Sequence, residues 1–241
     1  GGNMWQTHIY LDNVTAKLTV DKGGAKVSNI RFVDGKGQKA GISDSVSTLT
    51  EKIEIAFSSA VDESSLTGGI TLSDKSGKAI SLTNGGFNTD TNTYTAILGN
   101  LMKKDTEYTL TTSGITSGGK ATDDYSVSFK TAATGAFDVS QLYINGTIAA
   151  GNTITIGIKV LNTTGENKNV TFSYATYSGN QMIGCELEEK GVGGESSGIY
   201  TKEYTLTLDA ETAAKLTDIR AFVWGDLTSV VPLTDFASLT K

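Results

Sequence analysis

Residues 52–66, KIEIAFSSAVDESSL, read as an alternating strand that stops at two neighbouring carboxylates, Asp62 and Glu63. Paired carboxylates can perform the acid–base steps of glycoside hydrolysis or bind calcium. Glycoside hydrolysis needs its two carboxyl groups roughly 5 to 9.5 Å apart across the substrate, which adjacent residues do not provide. Because Ser64 and Ser65 follow, the pattern favours Asp62 as the N-cap or Asx-turn residue that ends the strand and begins one helical turn.

Two other stretches carry clustered acidic or amide side chains. Residues 88–94, NTDTNTY, place Asn or Asp at alternate positions, as a calcium loop of the EF-hand type begins. Such a loop needs Gly at its sixth position and Glu at its twelfth, where this sequence has Thr93 and Gly99. We therefore interpret 88–94 as the polar end of a hairpin, and the acidic pair at 123–124 as a turn before a strand.

The few cysteine and histidine residues narrow the chemistry further. Cys185 is the single cysteine and His8 the single histidine, so an internal disulfide and a multi-histidine metal site are excluded. In MIGCELEE, Cys185 is in register with Leu187, and we expect a buried, inert thiol. We predict no cofactor for this chain, with structural calcium left open.

The aromatic residues supply the candidates for ligand binding. Alternation places Tyr177 opposite Phe172, hence towards solvent, and we predict Tyr177 as a ligand-binding residue together with Trp5. Trp224 shares a strand face with Phe222. A sandwich of this size commonly buries one large aromatic side chain between its sheets, so we expect Trp224 in the core.

The elements that must position these residues are strands. Apolar side chains recur at every second residue, as in Ile53, Ile55 and Phe57, and Gly-rich and Asn-rich turns separate the alternating stretches. The chain has 28 Gly and 1 Pro, and its only helical candidate is 209–216, with Asp209 as the cap. Strands at this spacing predict an all-β fold of two tandem Ig-like or fibronectin-III-like β-sandwiches.

Alternation also predicts which side chains form the two cores. The expected core of the first module consists of Ile53, Ile55, Phe57, Tyr108, Leu110 and Phe129. The expected core of the second module consists of Ile154, Ile156, Phe172, Leu206, Phe222 and Trp224. The stretch KTAATGAF, 130–137, contains small residues between two alternating segments and suggests the boundary between the modules. We predict modules at 25–132 and 136–241, preceded by residues 1–24 as an extension or the end of another module.

Net charge and hydropathy exclude two further classes. The chain has a formal net charge of −6 and no basic stripe, so we predict that it does not bind nucleic acid. No apolar run reaches the about 20 residues that a membrane-spanning helix needs. The sequence therefore predicts no membrane span.

Residues 26–131 resemble the bacterial SbsA-type Ig-like domain first associated with surface-layer proteins. The resemblance rests on IEIAFSSAVDESSL, DTEYTLTTSGI and the closing FKT. One departure is that TSGGKATDD lacks the Gly-Asn pair that this family often has before its last strand. The resemblance implies a non-catalytic domain of a surface or secreted protein.

Two other segments resemble parts of secreted bacterial proteins. Residues 136–241 are similar to an Ig-like or fibronectin-III-like module of secreted Gram-positive proteins, through LYINGTIAAGNTITIGIKVLN and IRAFVWGDLTSVVPL. Residues 4–20, and IYLDNVTAKL within them, resemble the last strand of jelly-roll carbohydrate-binding modules. That second resemblance implies Asp12 as a ligand of structural calcium.

These observations predict accessory or spacer modules of a secreted or cell-surface multidomain bacterial protein that is associated with polysaccharide. We expect a monomer that is not itself an enzyme, whose partners are neighbouring domains and also polysaccharide or cell wall. The expected location is extracellular or at the cell wall. The alternative is an adhesion module that binds carbohydrate or protein through exposed aromatic side chains, and an enzyme is a third hypothesis.

Overall fold

The computed structural model of the chain describes residues 23–43, 45–194, 198–228 and 230–241. Within these ranges the strands form antiparallel sheets that pack in layers, which confirms the predicted all-β sandwich fold. None of the helices in these ranges is long and apolar enough to cross a membrane. Trp5 and Asp12 lie outside the described residues.

The first group of strands builds two layers from residues 27–130. Its elements are β1 (Val27–Asp34), β2 (Lys39–Ala40), β3 (Thr50–Phe57), α1 (Glu63–Leu66), β4 (Ile70–Asp74), β5 (Ala79–Ile80), β6 (Leu82–Asn88), β7 (Thr93–Leu98), β8 (Glu107–Thr112), β9 (Thr116–Ser117), β10 (Lys120–Ala121) and β11 (Tyr125–Lys130). One sheet has the order β2-β1-β3-β7-β6 and the other β11-β8-β4-β5, with β9 and β10 as a separate hairpin.

The second group builds two further layers from residues 137–240. Its elements are β12 (Phe137–Asn145), β13 (Thr153–Asn162), β14 (Lys168–Ser178), β15 (Gln181–Val192), β16 (Ile199–Thr207), α2 (Ala210–Lys215), β17 (Asp218–Trp224) and β18 (Ala237–Thr240). The sheets have the orders β12-β13-β16 and β15-β14-β17-β18. Helix α2 is the predicted one, and Asp209 caps it by accepting a hydrogen bond from the Thr212 amide at 2.6 Å.

Each pair of sheets encloses its own apolar core. Buried side chains between Ala25 and Phe129 form one cluster, and those between Val139 and Val223 form another. An aromatic pair crosses each core, Phe32 with Phe129 at 4.6 Å between ring centroids and Phe172 with Tyr204 at 5.4 Å. The predicted module boundary lies between the two clusters, and the exact limits of the modules stay a prediction.

Most predicted core residues lie in the core, but two do not. Every residue predicted for the first core is buried, as are Ile154, Ile156 and Phe172 in the second, and Leu206 packs against that second cluster. Phe222 and Trp224 lie on the outer face of β17 and are half-buried. The inward residues of β17 are the smaller Ile219, Ala221 and Val223, so the expectation for Phe222 and Trp224 was wrong. Alternation separates two faces of a strand but does not say which of them meets the core.

Asp62 precedes the helical turn α1 as predicted, but β3 already ends at Phe57, and the Asp62 side chain does not cap the turn. The carboxylate instead accepts hydrogen bonds from the Thr116 hydroxyl at 2.6 Å and from the amides of Gly118 and Gly119 at 3.1 Å each. It therefore ties the segment after β3 to the β9–β10 hairpin. These hydrogen bonds, that from Thr116 foremost, hold the pKa of the Asp62 carboxyl below its ordinary value of 3.8.

The Asp62 contact predicts a pH-dependent contribution to stability. A carboxyl whose pKa is lower in the folded than in the unfolded chain stabilises the fold above its unfolded pKa, and this contribution is lost as pH falls through the folded pKa. We expect Asp62→Asn to lower the melting temperature at pH 7, because one acceptor oxygen becomes a donor that faces other donors. The difference from the unaltered chain should shrink as the pH is lowered below the ordinary Asp value of 3.8.

Thermal unfolding followed by circular dichroism at pH 7 and in steps down to acidic pH measures this effect. Asp90→Asn is the matched control, because Asp90 is exposed and its carboxylate makes no hydrogen bond with the described residues. A melting-temperature difference for Asp62→Asn that stayed constant over the whole pH range would contradict the assignment.

Candidate functional site

The described residues place charged and polar side chains where the two sandwiches meet, and we call this region the joint. Lys159 on β13 forms an ion pair with Glu51 on β3, and only 22% and 12% of the two side chains are exposed. Closer to the surface, Lys36 donates to an Asp138 oxygen at 2.6 Å. Oppositely charged groups from both sandwiches are therefore paired across the joint.

A buried hydroxyl pair extends the joint towards the linker, which is the segment 131–136 between β11 and β12. The hydroxyls of Thr48 and Thr163 lie 2.8 Å apart, and the Thr163 hydroxyl also accepts a hydrogen bond from the Ala136 amide at 2.8 Å. Lys104 donates to the main-chain carbonyl of Thr164 at 2.9 Å. Each contact joins residues of the first group of strands, or of the linker, to the second group.

The linker itself is hydrogen-bonded at both ends. Thr131 donates from its amide to the Thr106 carbonyl at 3.0 Å, and the Ala132 amide donates to Val46 at 2.9 Å. At the other end the Thr163 amide donates to the Ala136 carbonyl at 2.8 Å. The residues between β11 and β12 are thus held by both sandwiches, which a sequence of small residues alone does not reveal.

Close backbone approach at the joint depends on Gly35. A Cβ atom at position 35 would overlap the Glu51 carboxylate and would lie 2.6 Å from the Ser140 Cβ, a distance that real Cβ atoms do not show. Glu51 Oε1 and Ser140 Oγ are both buried and form no hydrogen bond with the described residues. The joint is therefore tightly packed around a carboxylate of which one oxygen binds Lys159 and the other has no protein donor.

A second candidate region is the outer face of the sheet formed by β15, β14, β17 and β18. The Arg220 guanidinium lies over the Tyr177 ring at 4.6 Å from its centroid and over the Phe236 ring at 6.0 Å. The ring centroids of Phe236 and Phe222 are 5.8 Å apart. Those of Phe222 and Trp224 are also 5.8 Å apart, with 3° between the ring planes. We call these five side chains the aromatic row.

Of the four aromatic residues in the aromatic row, the sequence analysis singled out one for ligand binding and missed three. Tyr177 is half-buried and does lie on the outer face, whereas Phe222 and Trp224 were expected in the core. Phe236 is 55% exposed and lies before β18. The signal in the sequence was the β-branched pair Ile219 and Val223, whose parity marks the inward face of β17.

A carboxylate and two tyrosines close the open side of the second sandwich. Glu188 on β15 accepts hydrogen bonds from Tyr200 at 3.0 Å and Tyr204 at 3.3 Å, and it pairs with Lys202 at 2.6 Å. Burial, together with the Glu188 charge, raises the pKa of Tyr204 to about 12, and burial raises that of Tyr200 as well. Both phenols therefore remain protonated hydrogen-bond donors at neutral pH, and the cluster ties β15 to β16.

The other sequence candidates occupy turns and an edge strand. The Asn88 side chain accepts from the amides of Asp90 and Thr91 at 3.0 Å each in the β6–β7 turn, which confirms the hairpin interpretation. Asp123 lies 3.8 Å from Lys26. In the described part of the chain, no three His, Cys, Asp or Glu side chains lie close enough together to bind one metal ion.

Cys185 is exposed, so the expectation of a buried thiol was wrong. It does share a face with Leu187, as predicted, because Ala175 and Ser173 oppose these two residues on β14. That face is the outer side of an edge strand, over which the described residues place no further layer.

Comparisons with known proteins give distant similarities of fold. No protein-family model matches this chain, and no curated protein sequence matches it. Native α-2-macroglobulin from Escherichia coli, spanning domains MG0-NIE-MG1, is 9% identical with a TM-score of 0.42, over 91% of this chain and 72% of that chain.

Two further solved structures are similar over most of this chain. The N-terminal part of the bacterial S-layer protein SbsC is 11% identical with a TM-score of 0.37, over 90% of this chain and 44% of that chain. A putative β-galactosidase from Bacteroides fragilis is 11% identical with a TM-score of 0.30, over 90% of this chain and 40% of that chain. The chain thus spans less than half the length of both, and these similarities assign no function to it.

Proposed function

We propose that this chain is a pair of non-catalytic Ig-like modules that acts as a stiff spacer in a secreted or cell-surface multidomain bacterial protein associated with polysaccharide. The first module is proposed to be of the SbsA type, and the parent a Gram-positive protein. The single observation that carries the spacer function is the joint, in which the linker is hydrogen-bonded to both sandwiches and the Glu51–Lys159 ion pair crosses between them.

The energetics of the joint support stiffness. Two charges that are mostly withdrawn from water attract each other more strongly than surface charges do, and separating them would leave each desolvated and unpaired. Bending the joint would also break the buried Thr48–Thr163 hydrogen bond. Rotation of one sandwich against the other is therefore opposed by several contacts at once, in addition to the short linker.

The carboxylates with resolved contacts support a structural role. Asp62 holds the β9–β10 hairpin, Glu188 ties β15 to β16, and Glu51 pairs with Lys159 across the joint. Asp62 and Glu188 use both carboxylate oxygens within the fold, and Glu51 uses one of its two. This use supports the proposal that the chain itself is not an enzyme.

The second candidate function is carbohydrate binding through the aromatic row. Rings with exposed faces can stack on the apolar face of a sugar, and the row brings Tyr177 together with Phe222, Trp224 and Phe236 on one sheet. Arg220 could donate hydrogen bonds to hydroxyl groups, although it already pairs with Asp218 at 2.5 Å. Trp5, the other predicted ligand-binding residue, keeps its place in this hypothesis.

We expect the joint to hold one distance between the sandwiches. Spin labels on the native Cys185 and on an introduced cysteine at Thr91 should give a narrow distance distribution in pulsed electron paramagnetic resonance. Gly35→Ala should broaden it, because the added Cβ overlaps the Glu51 carboxylate. Gly41→Ala is the matched control, since a Cβ there has open space. A broad distribution in the chain without the glycine substitutions would contradict the spacer function.

Removal of the Lys159 charge should destabilise the joint. Lys159→Met leaves the Glu51 carboxylate without its cation, and an unpaired, mostly buried polar group costs about 1 to 3 kcal/mol. Combining it with Glu51→Gln should recover part of that loss of unfolding free energy, as a double-mutant cycle in denaturant measures. Strictly additive effects of the two substitutions would show that the pair contributes no coupling.

Carbohydrate binding by the aromatic row is tested by affinity electrophoresis in gels that contain soluble plant or cell-wall polysaccharides. If the row binds sugar, Tyr177→Ala and Trp224→Ala should each weaken retention by up to about tenfold, since one aromatic contact contributes about 0.5 to 1.5 kcal/mol. Tyr143→Ala, on the opposite sheet, is the aromatic control. Equal mobility in gels with and without every polysaccharide would exclude this second function.

A further inference from the structure

A cavity of about 270 Å³ lies at the joint and is lined by both sandwiches. Residues 101–104, between β7 and β8, form one side, and Thr163, Gly165 and Gly194 form the other. Ligand pockets for drug-sized molecules usually begin near 300 Å³, so this cavity suits a smaller molecule. Its size corresponds to a single sugar residue.

The charges around the cavity favour an anion. Lys103 and Lys104 line it, and none of its lining residues, all within the described ranges, is acidic. Among the described residues, the carboxylates adjacent in sequence to the lining are Asp105 and Glu166, which pair with Lys130 at 2.6 Å and with Lys168 at 3.1 Å. The two ammonium groups therefore give the described lining of this cavity a positive charge, although Lys103 also interacts electrostatically with Asp74 and the chain as a whole is acidic.

Both lysines are anchored in ways that leave donors available. Lys104 uses one hydrogen-bond donor for the Thr164 carbonyl at 2.9 Å, and an ammonium group has three. The main chain of Lys103 is fixed, because its amide donates to the Tyr108 hydroxyl at 2.9 Å and its carbonyl accepts from the Thr131 hydroxyl at 2.6 Å. Two cationic side chains thus start from fixed backbone positions beside the cavity.

The rest of the lining is apolar or bare backbone. Leu101 and Met102 are buried and present hydrocarbon to the cavity, as the apolar face of a pyranose ring requires. Gly165 has φ +85°, a conformation that favours glycine, and a Cβ there would lie 3.4 Å from the Lys104 ammonium nitrogen. A glycine at this position therefore leaves space beside the cation.

We propose that this cavity binds a compact carboxylate-bearing sugar of the hexuronate class, with Lys103 and Lys104 on the carboxylate and Leu101 and Met102 against the ring. Because the walls come from both sandwiches, a bound sugar acid would connect them. The site rests on the proposed stiff joint, since a mobile joint would not maintain the cavity.

Nuclear magnetic resonance titration of the whole chain tests the site, with sodium glucuronate, glucose and inorganic phosphate as separate ligands at constant ionic strength. We expect saturable shifts at amides of residues 101–106 and 163–165 with glucuronate, and at least about tenfold weaker binding of glucose, which lacks the charge-assisted hydrogen bonds. Phosphate should also bind more weakly, because it has no apolar face. Equal binding of glucose or phosphate would overturn the assignment to sugar acids, and absence of shifts with glucuronate would overturn the site.

Two variants separate the roles of the cations. Lys103→Gln removes a cavity charge whose ammonium group makes no described contact across the joint, and it should weaken glucuronate binding about tenfold. Lys75→Gln, a highly exposed lysine elsewhere on the first sandwich, should leave binding unchanged. Equal losses in the two variants would show that binding is nonspecific and would overturn the site.

The spin-label distance measured without ligand keeps the two proposals distinguishable. A narrow distance distribution combined with no glucuronate binding would overturn the cavity site and leave the spacer function standing. A broad distribution would overturn both.

Discussion

The pairing of Glu51 with Lys159 is the interaction on which the relation between the two sandwiches depends. Each sandwich has a separate apolar core, and neither core cluster extends across the joint. The described polar contacts that cross between them are this ion pair, the Thr48–Thr163 hydroxyl pair, the Lys36–Asp138 and Lys104–Thr164 contacts and the hydrogen bonds of the linker. Polar contacts are directional, and they are costly to break when water cannot replace them. A joint held by such contacts has a defined geometry.

The same joint explains why several residues that look unremarkable in the sequence matter. Gly35 allows the Glu51 carboxylate to approach the second sandwich, and Gly135 lies where any Cβ would overlap the Thr163 carbonyl. The cavity beside Lys103 and Lys104 is lined by residues of both sandwiches, so it depends on how the two meet. Spacer function and ligand binding are thus two consequences of one arrangement in our proposals, and they differ in which residues they require.

Two surfaces of the second sandwich carry different kinds of side chain. On the side between β15 and β16, the Glu188 carboxylate accepts hydrogen bonds from the hydroxyls of Tyr200 and Tyr204. The aromatic row occupies the outer face, where the rings and Arg220 cover small residues of β14 such as Ser173 and Ala175. The row therefore has a packing role whatever it binds, because it shields part of the sheet from water.

Residue types and their spacing determined the strands, the turns, the α2 cap at Asp209 and the residues predicted for the first core, because the side-chain period of a strand is visible in local sequence. Local sequence did not decide which face of β17 is inward, because both faces carry apolar residues such as Phe222 and Val223 and β-branching gives only a preference. Packing against the opposite sheet, β12-β13-β16, selects between the faces. Local sequence could not show that Cys185 lies on an edge strand, which depends on strand order. Nor could it identify the partners of Asp62 and Glu51, because these residues meet groups far away in the chain. Those contacts, the joint and its cavity were decided by tertiary structure, where long-range packing brings distant polar groups within hydrogen-bonding distance.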